Sequence, residues 1–302
     1  MKISTQLFKK AVLMIAAMTA LVGCVSASPT ADPFKIQVVV SSSILADVVS
    51  QVGGDLIQIE VLLPAGSDPH TFQPSPKDLS LMTNADVVMI IGLDLESFLT
   101  PLFENAANDI TVIAVSDENK VLSTAGGEND PHVWMDPNKV MDWLAPISNA
   151  LAEIDPDNEH IYQGNAAQYR AALIELDAWI KEQVASIPEA NRLIVSDHNV
   201  FGYFANRYGM EVVGAIIPGY STLAEPSARQ LAALQDVIES RAVRAIFVSE
   251  ASNTNLAQRI AEDTGVAIVS VYTGSLSAAD GPAGSYVEMM RYNVNVMVSV
   301  LG

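Results

Sequence analysis

The chain predicts an α/β fold of two lobes, each with parallel-sheet α/β architecture, joined by one long rigid helix. Three observations carry this. Short apolar runs alternate with amphipathic stretches, the rhythm that builds parallel sheets. The rhythm runs twice, and between its two occurrences lies a proline-free stretch, Asp157 to Ala185, whose apolar or small residues recur at helical spacing. At 302 residues the chain also exceeds the usual size of a single hydrophobic core.

In order, IQVVVSSS reads as a buried strand, ILADVVSQVG as a helix closed by glycine and IQIEVLLP as a second strand. PSPKDLSLMTNA follows as helix, DVVMIIGL as strand, LESFLTPLFENAA as helix and ITVIAVS as strand, and the first lobe closes near Asp155. In the long stretch, Ile161, Ala166, Tyr169, Leu173, Leu176 and Ile180 mark the face of one helix. It is well above the usual helix length, so it is expected to bridge the lobes. The second series is RLIVSDHN, VFGYFANRYG, VVGAIIPG, PSARQLAALQDVIESR, RAIFVSE, NLAQRIAEDTG and AIVSVYTG, with a last helix from about Gly284 to Leu301. The expected limits are therefore 35–156 for the N-terminal lobe, 157–187 for the linking helix and 188–302 for the C-terminal lobe.

Ahead of the lobes, MKISTQLFKK is a basic segment and AVLMIAAMTALVG an apolar one too short to span a bilayer, the make-up of an export signal over residues 1–23. It ends in LVGC, so Cys24 is expected to be the first mature residue and a site of lipidation. Residues 24–34, rich in Ser, Ala, Pro and Thr, form a tether. Cys24 is the only cysteine, which excludes an intramolecular disulfide and a thiolate metal cluster. The expected location is exported, periplasmic or on the outer face of the cytoplasmic membrane, with membrane contact through the lipid anchor only. With 35 acidic and 16 basic residues the net charge is −19, which argues against nucleic acid as a partner. The same acidity weakly favours cationic ligands and equally serves solubility.

Three of the four histidines lie where strands give way to loops: His70 in LLPAGSDPHTFQPSP, His132 in NDPHVWMDPN and His198 in LIVSDHNVFGYF. Their wide separation rules out a local metal finger, so only the tertiary fold could assemble them. In parallel α/β lobes ligands bind at the carboxyl ends of strands, and neutral imidazole is a common ligand of zinc and similar metals. Asp68, Asp136 and Asp197 are near enough in sequence to fix imidazole tautomers. His160, in DPDNEHIY at the start of the long helix, is expected on the surface.

PAGSDPHTFQPSPKD, DPHVWMDP, SDHNVFGYFANRYG, PSARQLAAL and YVEMMRYNV are similar to segments of the metal-binding solute-binding lipoproteins of bacterial zinc and manganese ABC transporters, and the chain resembles their zinc-type members. The resemblance implies two α/β lobes with the metal held between them by two ligands from each. His70 and His132 match the N-lobe positions and His198 the first C-lobe position, where manganese-type members tend to carry glutamate. Many members place an aspartate where this chain has Gly274. The fourth ligand is therefore expected to be Asp280, the nearest downstream carboxylate, with Glu250 as the alternative ligand or as a hydrogen-bond acceptor for an imidazole. Many zinc-binding members also have a histidine-rich insertion near Ser116 to Asp130, but SDENKVLSTAGGEND is short, acidic and free of histidine. That loop either gathers cations or is simply a solvated loop.

What the resemblance implies is an extracytoplasmic protein, not an enzyme, that binds Zn2+ with high affinity and delivers it to the ABC permease of a metal importer, with Mn2+ or another divalent metal as the alternative cargo. It is expected to act as a monomer, with a metallochaperone as a further possible partner. Four protein ligands would close the site, and proton competition would weaken binding below roughly pH 6.5. The loops around His132 and Asp280, poor in buried apolar residues, are expected to loosen first on release. An extracytoplasmic zinc hydrolase is the rival, with Glu250 or Asp280 as base. No HExxH helix or nucleophile elbow supports it.

Overall fold

The computed structural model describes residues 35–105, 110–116, 121–123 and 129–302. The expected export signal, the tether, Cys24 and much of the acidic loop between Ser116 and Asp130 lie outside the described residues. No helix among the described residues is long and apolar enough to cross a membrane.

Two four-stranded parallel sheets carry the fold. The first contains β1 (Ile36–Val40), β2 (Ile57–Val61), β3 (Val87–Ile90) and β4 (Val112–Ala114) in the order β2-β1-β3-β4. The second contains β5 (Leu193–His198), β6 (Glu211–Ile217), β7 (Ala245–Ser249) and β8 (Ala267–Val271) in the order β6-β5-β7-β8. Every pairing is parallel. In each sheet the winding direction reverses beside the first strand, which creates a crevice at the carboxyl ends of β1 and β3 and of β5 and β7.

Nine α-helices cover these sheets among the described residues. In the first lobe they are α1 (Ser43–Gly53), α2 (Pro76–Thr83), α3 (Thr100–Asn105) and α4 (Pro137–Ile154), and α5 (Glu159–Ala185) follows. The second lobe adds α6 (Gly202–Tyr208), α7 (Ala228–Ser240), α8 (Asn255–Thr264) and α9 (Tyr286–Leu301). Local chemistry sets their starts. The Ser42 hydroxyl accepts from Leu45 N at the start of α1. Ser75 and Asp78 form a capping box ahead of α2, with Pro76 preset for the first turn.

Two elements differ from expectation. LESFLTPLFENAA divides into a single 3-10 turn, Ser97–Leu99, and the short α3. The other difference is α4, 18 residues long, where the sequence reading placed no helix. Its start is written in the sequence as Asp136-Pro137: the carboxylate accepts from Asn138 N at 2.9 Å and proline takes the first helical position. Pro146 inside the helix obscured the signal.

The long helix begins two residues later than expected, after a 3-10 turn over Pro156–Asn158, and buries Tyr162 in place of Ile161. It packs on α1, α4 and α9, so it is a wall of the core as well as a connection between lobes. One hydrophobic cluster accordingly runs from Ile36 to Leu301 through both lobes. Two smaller clusters fill the other faces of the sheets, around Val39, Leu63, Met82 and Val88 in the first and Val195, Leu234, Ile246 and Ile260 in the second. Trp134 and Trp143, each 1% exposed, anchor the large cluster. At roughly 25 cal/mol per Å² each indole contributes about 4 kcal/mol of burial.

Candidate metal centre

His198 is the last residue of β5, a strand buried at every position, so its ring emerges at the carboxyl edge of the second sheet. His70 stands in the loop after β2, with its backbone N–H donating to the Asp68 carboxylate at 2.9 Å. His132 precedes the 3-10 turn Val133–Met135 that leads into α4. The fold brings these three rings together although they come from three distant segments.

Their Nε2 atoms converge. The separation is 3.2 Å from His70 to His132 and 3.3 Å from His132 to His198, and one ligand atom from each ring lies within 4.8 Å of the other two. Zinc–nitrogen bonds of about 2.05 Å in a tetrahedron put neighbouring nitrogens about 3.3 Å apart, so two edges of this triangle already have that dimension. The rings meet edge to face, with centroids 5.1 to 5.4 Å apart.

Two carboxylates aim two of the rings. Asp130 accepts from His132 Nδ1 at 2.8 Å and from His132 N at 3.0 Å. Asp197 accepts from His198 Nδ1 at 2.9 Å, and its other oxygen accepts from Ser249 N and the Ser252 hydroxyl. A proton held on Nδ1 leaves the Nε2 lone pair directed into the cluster. Asp197 was among the acceptors anticipated from sequence. Asp130 was missed, although DPH repeats the aspartate-proline-histidine order of the His70 loop.

Asp68 and Asp136 do other work. Asp68 accepts the His70 backbone N–H and, at 2.6 Å, the Thr222 hydroxyl from the loop after β6. Asp136 caps α4 and pairs with Arg207 Nε at 3.2 Å. Arg207 also makes a two-pronged bond to Asp177 of the long helix, at 2.6 and 2.8 Å.

Burial sets the electrostatics. It lowers the His70 imidazole to about 4, helped by repulsion from His198 and opposed by Asp68 and Asp197. His132 is held well below the usual imidazole range by burial and by the other two rings. Asp130 is raised to about 7 by burial, against the hydrogen bond from the His132 backbone. For Asp197, hydrogen bonds from His198, Ser252 and Ser249 outweigh burial and keep it low. His70 and His132 thus present neutral nitrogen donors at neutral pH, the form a cation requires.

The anticipated fourth ligand is elsewhere. Asp280 is exposed in a turn and Glu250 is exposed just past β7; neither belongs to the cluster of converging ligand atoms. The small cavity beside the rings is lined instead by Thr273 and Gly274, with Asp68, Ser249 and Ser252. The physical reason is local: the turn over residues 278–281 is closed by Gly281 N donating to Ala278 O, which leaves Asp280 on the outside. His160 is exposed on the first turn of α5, away from the cluster. The His132 loop also differs from expectation. Residues 130–137 are all buried, His132 N donates to Asp130, and the Asp130 and Trp134 carbonyls accept from Tyr203 OH and Tyr286 OH, so this stretch is among the better pinned segments.

Residues 38–300 match the family model described as the zinc-uptake complex component A, periplasmic. The chain is 33% identical to the manganese-binding lipoprotein MntA of Halalkalibacterium halodurans, over 97% of this chain and 98% of that one. It is 32% identical to the iron ABC transporter substrate-binding lipoprotein MtsA of Streptococcus pyogenes, over 91% and 92%. Among solved structures, the periplasmic zinc binding protein TroA from Treponema pallidum superposes with a TM-score of 0.84 at 26% identity, covering 89% of this chain and 99% of that one.

Proposed function

The chain belongs to the family of the periplasmic zinc-uptake component A, the metal-binding substrate-binding lipoproteins of ABC importers, and from that premise we propose that it captures zinc outside the cytoplasmic membrane and hands it to an importer's permease. His70, His132 and His198 are the proposed ligands and Cys24 the proposed lipid anchor. This chain is similar to relatives named for manganese and for iron and to a solved structure named for zinc, so the choice of cargo rests on the donor set.

The observation that carries the zinc reading is the all-nitrogen cluster. Three imidazoles converge at 3.2 and 3.3 Å spacings, two of them oriented by carboxylates on Nδ1. Manganese prefers oxygen-rich octahedral surroundings, whereas zinc accepts a tetrahedral set of few, nitrogen-rich ligands. His198, where manganese-type relatives tend to carry glutamate, removes the oxygen donor that would favour manganese.

The test is competition. The full chain, freed of metal, is incubated with equimolar zinc, manganese and ferrous iron, then desalted and its metal content measured. Zinc at one equivalent is expected, abolished in His198→Ala. Retention of manganese or iron in preference to zinc overturns the assignment of cargo.

A further inference from the structure

Resting on that reading, we propose that the cation's fourth position is filled by an exchangeable small ligand, water or a small anion, seated by the Thr273 hydroxyl and not by a carboxylate of the chain. Thr273 is therefore a positioning residue for that ligand.

Three observations lead there. Among the described residues only two buried side-chain polar atoms lack a hydrogen-bond partner, Asp130 Oδ2 and Thr273 Oγ1. Thr273 is 1% exposed and lines the same cavity as the three histidines. A buried hydroxyl left without a partner costs about 1 to 3 kcal/mol, so a solvent or ligand atom is expected to satisfy it. The cavity measures about 10 Å³, on the scale of a single donor atom, a water oxygen or the end atom of a small anion.

Gly274 brings this segment close to the His70 loop. A Cβ added there would stand 3.0 Å from Cδ of Pro69, the residue before His70, so the segment approaches the His70 loop as closely as a residue without a side chain allows.

The segment is also held rigidly, as a positioning role demands. Tyr272 N donates to Asn293 Oδ1 at 2.9 Å and its carbonyl accepts from Asn293 Nδ2 at 2.6 Å. Trp134 Nε1 donates to the Thr273 carbonyl at 2.7 Å. Ser275 Oγ accepts from Gly66 N and Leu276 N donates to Ser43 Oγ, both at 2.9 Å. With its backbone tied on both sides, Thr273 has little freedom to seek another partner. An exchangeable fourth ligand has a consequence for delivery: an incoming donor on the permease can enter at that position before any histidine lets go.

Cobalt(II) replaces zinc as the probe, because its visible absorption reports ligand number and identity. The full-length chain is loaded with cobalt and titrated with azide. Expected are uptake of one equivalent, a saturable spectral change on adding azide, an azide affinity about fivefold to tenfold weaker in Thr273→Val, and near wild-type behaviour in Thr273→Ser. A spectrum indifferent to azide, or a response that appears only in Asp280→Ala, overturns the exchangeable ligand and returns the fourth position to the protein. Equal azide affinity in wild type and Thr273→Val removes Thr273 from the site. Failure to take up one equivalent of cobalt is a separate outcome and counts against the metal-binding reading itself.

Discussion

Replacing Asp177 by asparagine removes the hub that ties the long helix to the segment carrying the metal loop. Asp177 is 8% exposed and accepts from Arg207 Nε and Nη2, from Lys181 Nζ at 2.8 Å and from Tyr208 OH at 3.1 Å. Burial pushes its carboxyl up, but the bonds from Arg207 and Lys181 outweigh it and bring the group from 3.8 down to about 2. At 1.36 kcal/mol per pH unit this difference is worth about 2.4 kcal/mol. Because the folded value lies below the unfolded one, that stability is fully present above about pH 4 and is lost as the pH falls toward 2. Asp177→Asn should therefore lower unfolding stability by about 2 to 3 kcal/mol at pH 7, with the gap from wild type roughly halved at pH 3. Urea unfolding of the metal-free protein at both pH values measures this, since bound metal would add its own stabilisation. A loss below about 0.5 kcal/mol at pH 7, or a gap that does not narrow in acid, would show that the network is not the brace described above.

Three other results are expected. Asp130→Ala should weaken zinc binding by roughly 10- to 100-fold in calorimetry, because His132 loses the acceptor at 2.8 Å that aims its ring; unchanged affinity would falsify the orienting role. Zinc affinity should be the same within about twofold in Asp280→Ala and Glu250→Ala, since both carboxylates face solvent, and a tenfold loss in either would place that group at the cation after all. In metal-free protein carrying labelled histidine, the His70 ring should titrate by NMR near 4 and not near 6.5. The sign follows: His70 is neutral in folded and unfolded chains above about pH 6.5, and folding is disfavoured progressively as pH falls from there toward 4, because only the unfolded ring readily takes the proton. A midpoint above 6 would mean that the ring is solvated and not buried in the triad.

Much of this was legible in the residues, and the exceptions have physical causes. Strand-helix alternation located all eight strands of the described residues because each reads as a short, largely apolar run, LIVSDH among them being buried at every position. The three histidines stood out because each follows a strand or opens a helix, positions where side chains emerge at a sheet's carboxyl edge. Less legible was whatever depends on a turn's direction. Asp280 sits only six positions beyond Gly274, yet the turn that contains it faces outward. The His132 loop, rich in the residues of open loops, is buried because Trp134 is: its indole donates across the lobes to Thr273 and its carbonyl accepts from Tyr286 OH. Helix α4 is harder to read because a proline inside an apolar pattern usually marks a break, and here packing on α5 accommodates Pro146.

The closing helix α9 has a consequence for how the chain folds. Tyr286 N donates to Asp47 Oδ2 at 2.9 Å and Tyr286 OH to the Trp134 carbonyl at 2.7 Å, so the last sixteen-residue helix finishes the wall around the first lobe. β1 and α9 thus belong to one cluster, so the apolar interior of the N-terminal lobe is completed by residues far along the sequence. Contacts between such distant segments are of the kind that slow folding relative to local ones. Loosening α9 would therefore uncover apolar surface of the first lobe as well as the second, a loss felt at both ends of the core at once.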